Sequence, residues 1–192
     1  MDEIREQINK IDKKILAELE KRFKLTTKVG QIKADLMAPV FVPERETELI
    51  LELEKQASED VKGLVSPVFK TIIRLSRRNQ YSSVYKKLRT TELGEQLESV
   101  VSRIADLNAG KRPCLEVAFR EYEEVNSFFN IVNDYGFYPL EFSLKSKSGL
   151  VCRSVVTPLE VSEHTEKTEE MFIKMMYQLC NEFNDVRIVG WV

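Results

Sequence analysis

Residues 2–37, DEIREQINKIDKKILAELEKRFKLTTKVGQIKADLM, decide the fold. Apolar residues recur at Ile4, Ile8, Ile11, Ile15 and Leu19, a spacing of three and four that puts them on one face of a helix. Asp2 can cap its start. Pro39 sets its end near Met37, because the residue before a proline is pushed out of the helical region. A helix of about 35 residues spans roughly 50 Å, too long for one small core. A second copy of the chain should therefore cover part of it.

Continuing the same stripe gives Arg22, Thr26, Val29, Lys33 and Leu36. Charge thus interrupts a line where periodicity calls for Leu or Ile. Arg22 and Lys33 are about three turns apart and project from nearly the same face. Two buried cations without partners would be costly. Either they reach outward or pair with carboxylates, or they furnish an anion pocket inside a helical bundle. Arg5 lies about 260° around the helix from Arg22, so it cannot share that face. It is either a solvated surface residue or a contributor to the partner chain's site.

Outward from this helix, Pro39 and Pro43 bracket a short extended link. Pro43-Glu44-Arg45-Glu46 opens a second helix, with proline at the first position and acidic residues in the first turn, running to around Ala57. A third helix begins near Glu59 or Gly63 and reaches about Leu88, with Val65, Phe69, Ile72 and Ile73 on its apolar face. That face then carries Ser76 and Gln80, two hydrogen-bonding groups one turn apart. Arg45 and Glu46 add a positive donor and an acceptor. Thr91 can cap a fourth, connector helix over 91–112, with Leu93, Leu97, Val100, Val101, Ile104 and Leu107 inward and Gly110 closing it.

Beyond Pro113 the period changes from 3.6 to 2. Leu115, Val117 and Phe119 alternate with polar or small residues, as in a half-buried strand. A helix through Val125, Phe128, Phe129 and Val132 stops at Gly136. Strands around 137–146 and 150–157 flank the turn Lys147-Ser148-Gly149. A helix with Phe172, Met175, Met176, Leu179 and Phe183 follows, and 185–192 is a final strand. The order βαββαβ over 113–192 is the ferredoxin-like plan. The whole chain is therefore α+β: a helical domain over 1–90, the connector, and a ferredoxin-like domain.

Composition narrows the chemistry. The chain has 192 residues, 43% hydrophobic and 31% charged, the balance of a folded globular protein. No apolar run reaches a membrane span's length and the N-terminus lacks a signal peptide's apolar stretch, so a cytoplasmic location is expected. The one histidine, His164, sits in a polar run, which excludes a histidine triad or a multi-histidine metal site. Cys114, Cys152 and Cys180 form no CxxC pair and read as buried reduced thiols. Net charge is −2, but the first half is basic and the second acidic. The basic residues form no dense run, so a small polyanion suits them as well as nucleic acid. Neither a nucleic-acid nor a membrane partner is expected.

Residues 2–88 resemble the AroQ-class, all-helical chorismate mutases. The resemblance rests on Ile4-Arg5-Glu6-Gln7-Ile8 and Ile11-Asp12, on Arg22, and on Val29-Gly30-Gln31-Ile32-Lys33. It continues through the Pro39-Val40 to Pro43-Glu44-Arg45-Glu46 joint and Ser76-Arg77-Arg78-Asn79-Gln80. It implies a three-helix, intertwined homodimer that converts chorismate to prephenate without metal or cofactor. It further implies that Arg22 and the partner chain's Arg5 bind the two carboxylates, with Ser76 assisting. Lys33 and Gln80 would donate to the ether oxygen, Glu46 would accept from the ring hydroxyl, and Arg45 would support the carboxylate side.

Family members often have Asp where this chain has Val42, the N-cap of the second helix. Valine caps poorly, at a cost of about 1 kcal/mol. If the family's contact with the substrate hydroxyl there is a backbone N–H, Val42 still supplies it; if it is the side chain, binding is weaker. Two other functions fit the same residues: an isochorismate pyruvate-lyase, or a non-catalytic protein that binds chorismate-like ligands or regulates a pathway enzyme. The ferredoxin-like domain resembles amino-acid-sensing ACT domains in topology only, since Phe119-Arg120-Glu121-Tyr122 runs into helix without their glycine turn. A docking or dimerisation role, or binding of an aromatic amino acid effector, is expected of it.

Overall fold

The computed structural model describes residues 1–88, 111–145, 149–158 and 166–192 of the chain. It divides into two compact units, Met1–Lys87 and Leu88–Val192. The architecture is α+β. The expected connector helix falls almost wholly on 89–110 and lies outside the described residues, as does His164. Among the described residues, no helix is long and apolar enough to cross a membrane.

The first unit contains α1 (Asp2–Leu36), α2 (Pro43–Gln56) and α3 (Glu59–Leu88). Asp2 does not cap α1: Met1 holds the N-cap position, no side chain bonds there, and Asp2 sits in the first turn, where its charge faces the positive end of the helix dipole. At the other end Met37 takes the left-handed conformation (φ 52°), and the Ala38 N–H reaches back to the Lys33 carbonyl at 2.9 Å, closing the last turn. Val42 caps α2 with its backbone alone, Pro43 following at the first helical position.

The buried face of α1 differs from the apolar stripe that periodicity marks. The residues α1 buries are Gly30 and Ala34. Gly30 lies so close to α3 that a Cβ on it would stand 2.8 Å from the Gln80 Cα. Asn79 reinforces the crossing, its Nδ2 donating to Thr27 Oγ1 at 2.8 Å, Thr26 Oγ1 at 3.0 Å and the Phe23 carbonyl at 3.1 Å. By contrast Ile4, Ile8, Ile11 and Ile15 are all more than half exposed. Small residues permit close helix contact within the chain; the branched stripe is left facing outward.

The second unit contains β1 (Pro113–Phe119), α4 (Tyr122–Asp134), β2 (Phe137–Lys145), β3 (Leu150–Pro158), α5 (Glu166–Glu182) and β4 (Asp185–Trp191). Its antiparallel sheet has the order β2-β3-β1-β4. Burial along β1 alternates strictly, with Leu115 and Val117 fully buried. Gly136 (φ 79°) turns the chain from α4 into β2, a conformation that disfavours residues with a Cβ.

Phe128, Ile131, Phe172, Met175 and Leu179 of the two helices complete the core. Each such side chain contributes about 1.5–3 kcal/mol by leaving water. Trp191 packs against this core, 6.4 Å from the Phe172 ring. Inside it, Tyr135 O–H donates to Gln178 Oε1 at 2.8 Å and Gln178 Nε2 donates to Glu182 Oε1 at 2.9 Å, so these buried polar groups are satisfied. The three cysteines are free thiols; Cys152 is buried and the other two partly so. Burial pushes Cys152 and Cys180 up to about 11.

Candidate functional site

A cavity of about 170 Å³ lies within the first unit, walled by all three of its helices. From α1 come Arg22, Thr26, Val29 and Lys33, consecutive members of one stripe. Val40 and Val42 of the joint, and Arg45, Glu46 and Leu49 of α2, form a second side. Ile73, Ser76, Arg77 and Gln80 of α3 form the third. The positions 73, 76, 77 and 80 follow the i, i+3, i+4, i+7 pattern of one helix face. Four cations and one carboxylate, Glu46, therefore stand among the lining residues.

The polar contacts cross between helices. Arg22 Nη1 donates to Ser76 Oγ and to the Ile72 carbonyl at 3.4 Å, while Ser76 Oγ donates to that carbonyl at 2.6 Å. Burial holds the Arg22 guanidinium below its ordinary value. Lys33 Nζ donates to the Val40 carbonyl at 2.8 Å. An ammonium has three N–H groups, so two remain for a ligand. Burial lowers the Lys33 ammonium from the usual lysine range, the Arg45 charge lowers it further, and Glu46 offsets part of this.

Glu46 Oε2 is ion-paired with Arg77 Nη1, and the Arg77 guanidinium lies over the Phe41 ring, 4.5 Å from its centroid. The Gln80 side-chain oxygen is buried and unpaired among the described residues. Leaving such an acceptor unsatisfied costs about 1–3 kcal/mol, a cost that a hydrogen-bonding ligand or a turn of the amide removes.

Of the sequence-predicted site residues, Arg22, Lys33, Val42, Arg45, Glu46, Ser76 and Gln80 all line this one cavity. Arg5 does not. It is exposed near the far end of α1, 3.7 Å from Asp2 Oδ1. Arg77 was missed as a wall residue: its neighbours in the sequence are Ser76 and the basic Arg78, and only the pairing of 73 with 77 in the helical pattern signals it. Asn79, which ties α3 to α1, carries no sequence signal beyond its place in the same run.

The arrangement grips and polarises rather than cleaves. It presents cations to a small polyanion, a carboxylate to a hydroxyl, and an amide to an oxygen. Among the described residues no group of histidine, cysteine and carboxylate side chains is spaced to hold a metal ion.

Residues 4–81 match the family model described as chorismate mutase type II. The T-protein of Enterobacter agglomerans is 32% identical over 80 residues, 42% of this chain and 21% of that protein. The bifunctional chorismate mutase/prephenate dehydratase of Aquifex aeolicus is 29% identical over 152 residues, 76% of this chain and 40% of that protein. The chain thus spans only about a fifth to two-fifths of the length of these curated relatives. No solved structure matches it significantly.

Proposed function

We propose that the chain isomerises chorismate to prephenate by a pericyclic rearrangement, a reading that starts from the match of residues 4–81 to the chorismate mutase type II family model. The observation that carries the reading is the cavity in which Arg22, Lys33, Arg45, Glu46, Ser76 and Gln80 come together. The reaction is unimolecular and needs no base, nucleophile or cofactor. What accelerates it is restraint of the folded substrate and stabilisation of negative charge that grows on the ether oxygen as its C–O bond breaks.

Arg22, held by Ser76, binds one carboxylate. Lys33 keeps two N–H groups for the ether oxygen and shares it with Gln80 when the amide turns its nitrogen inward. A cation so placed lowers the barrier by about 3–4 kcal/mol, as oxyanion-hole donors do. Glu46 accepts from the ring hydroxyl, and Arg45 adds positive charge on the carboxylate side. The backbone of Val42 is offered to that same hydroxyl.

The second carboxylate calls for Arg5 of the partner subunit in a homodimer. Support for a dimer comes from α1 itself, whose Ile4, Ile8, Ile11 and Ile15 are 51–61% exposed on one face. A row of branched apolar side chains of that length is stable in water when another copy covers it. The substrate is a dianion that does not cross a bilayer unaided, so the same reading puts the enzyme in the cytoplasm. The domain over 113–192 takes a regulatory or partner-docking role, with an aromatic amino acid as the effector to try first.

The test is loss of chorismate, followed spectroscopically with purified protein, with the product identified and with phenylalanine, tyrosine and tryptophan added in turn. Prephenate should accumulate, and Lys33→Ala should abolish turnover while far-UV circular dichroism stays unchanged. Release of pyruvate would reassign the chain to a lyase. Turnover by Lys33→Ala near the wild-type rate would end the mechanism.

A further inference from the structure

We propose that Arg77 is a positioning residue acting through Glu46: it holds that carboxylate away from Lys33 so that both stay available to the substrate. The proposal rests on the chorismate mutase reading above. Arg77 is 8% exposed and sits mid-wall on α3, between Ile73 and Gln80. Its guanidinium is fixed on two sides, by the Glu46 ion pair and by the Phe41 ring beneath it. Phe41 belongs to the joint and Glu46 to the first turn of α2, so one planar cation ties both to α3.

The need for such a tie follows from the charges. Glu46 is the one carboxylate among the lining residues and already interacts with the Lys33 ammonium through space. Opposite charges in a partly dry cavity attract strongly. A Glu46 left free would swing onto Lys33, cancel the cation meant for the ether oxygen and withdraw the acceptor meant for the hydroxyl. Arg77 competes for it with better geometry. A carboxylate has two oxygens; Arg77 takes Oε2 and leaves Oε1 to accept from the substrate. Lysine cannot replace it, because a point charge has neither the planar fork nor the flat face that rests on Phe41.

A double-mutant cycle separates action through Glu46 from direct contact with substrate. Wild type, Arg77→Met, Glu46→Gln and the double variant are assayed for kcat and KM on chorismate, each with a thermal melt. Arg77→Met should lower kcat/KM at least tenfold, mostly in kcat, because the ether-oxygen cation is compromised. The double variant should be no worse than Glu46→Gln alone, since no carboxylate remains to collapse. Arg77→Lys should recover only part of the loss; it and Arg77→Gln take the place of Arg77→Met if that variant does not fold. Losses that multiply in the double variant, or wild-type kcat/KM in Arg77→Met, overturn the proposal while leaving the enzyme reading intact. No turnover by the wild type sinks both.

Discussion

Replacing Gly30 with alanine tests whether the distance between α1 and α3 is set for catalysis. The new Cβ would lie 2.8 Å from the Gln80 Cα and 3.0 Å from both the Gln80 carbonyl oxygen and the Ser83 Cβ. Ordinary contact begins near 3.4 Å, so the helices must part by roughly 0.6 Å at that point. Two of the three obstacles are backbone, so no rotamer change relieves them. Such overpacking costs about 1–3 kcal/mol. The helix propensity gained on leaving glycine returns about 1 kcal/mol. The net loss of stability is therefore small, up to about 2 kcal/mol.

The loss of activity should be larger than that. Lys33 is one turn beyond Gly30 on α1, and Gln80 is the residue struck. Misplacement by about 1 Å can cost a hundredfold in rate. A shift of half that size should lower kcat tenfold or more. Arg22 is two turns away, about 12 Å along the axis, so KM should change less. Gly63→Ala is the control, because nothing lies within 4 Å of its Cβ position and only the propensity gain applies. Steady-state kinetics with thermal melts of both variants decide the matter. A Gly30→Ala enzyme within twofold of wild-type kcat would refute the reasoning, and so would a loss of activity that merely follows a loss of helical structure.

Two further outcomes are expected. The Lys33 ammonium must be charged to act, and burial with Arg45 holds its pKa below the lysine range. The alkaline limb of kcat/KM should accordingly fall below the pH expected of a free lysine, about 10.4. Glu46→Gln, which removes the charge that raises this pKa, should move the limb to lower pH in the residual activity; a limb that stays or moves up contradicts the assignment. Arg5→Ala and Arg22→Ala, each inactive alone, should complement when co-expressed. Half of randomly formed dimers are hybrids with one complete cavity of two, which gives about a quarter of wild-type activity. Activity no higher than that of either parent would place Arg5 outside the partner's site.

The sequence makes some of this architecture plain and hides the rest for physical reasons. Regular spacing exposes α1 and β1, because Ile4 to Leu19 and Leu115 to Phe119 each repeat with one unmistakable period. Arg22 and Lys33 stand out as charges on an apolar line, and the structure sets both against one cavity. The stripe says nothing of what covers it, and inside the chain α1 buries Gly30 and Ala34 instead. A glycine with no side chain leaves no periodic trace, so its closeness to Gln80 emerges only in three dimensions. Arg77 was overlooked for the opposite reason: in a basic run, one more arginine looks like surface. The cap expected of Asp2 failed because the helix starts one residue earlier than a side-chain cap there requires.

The bond from Lys33 Nζ to the Val40 carbonyl has a consequence for what the ammonium can do. A peptide oxygen is a dipole with no net charge and no titration of its own. It steers the cation while leaving its net charge uncancelled at that contact, where a carboxylate would have neutralised it. The guide also cannot be removed by exchanging a side chain, so the aim of Lys33 is written into the path of the main chain between α1 and α2.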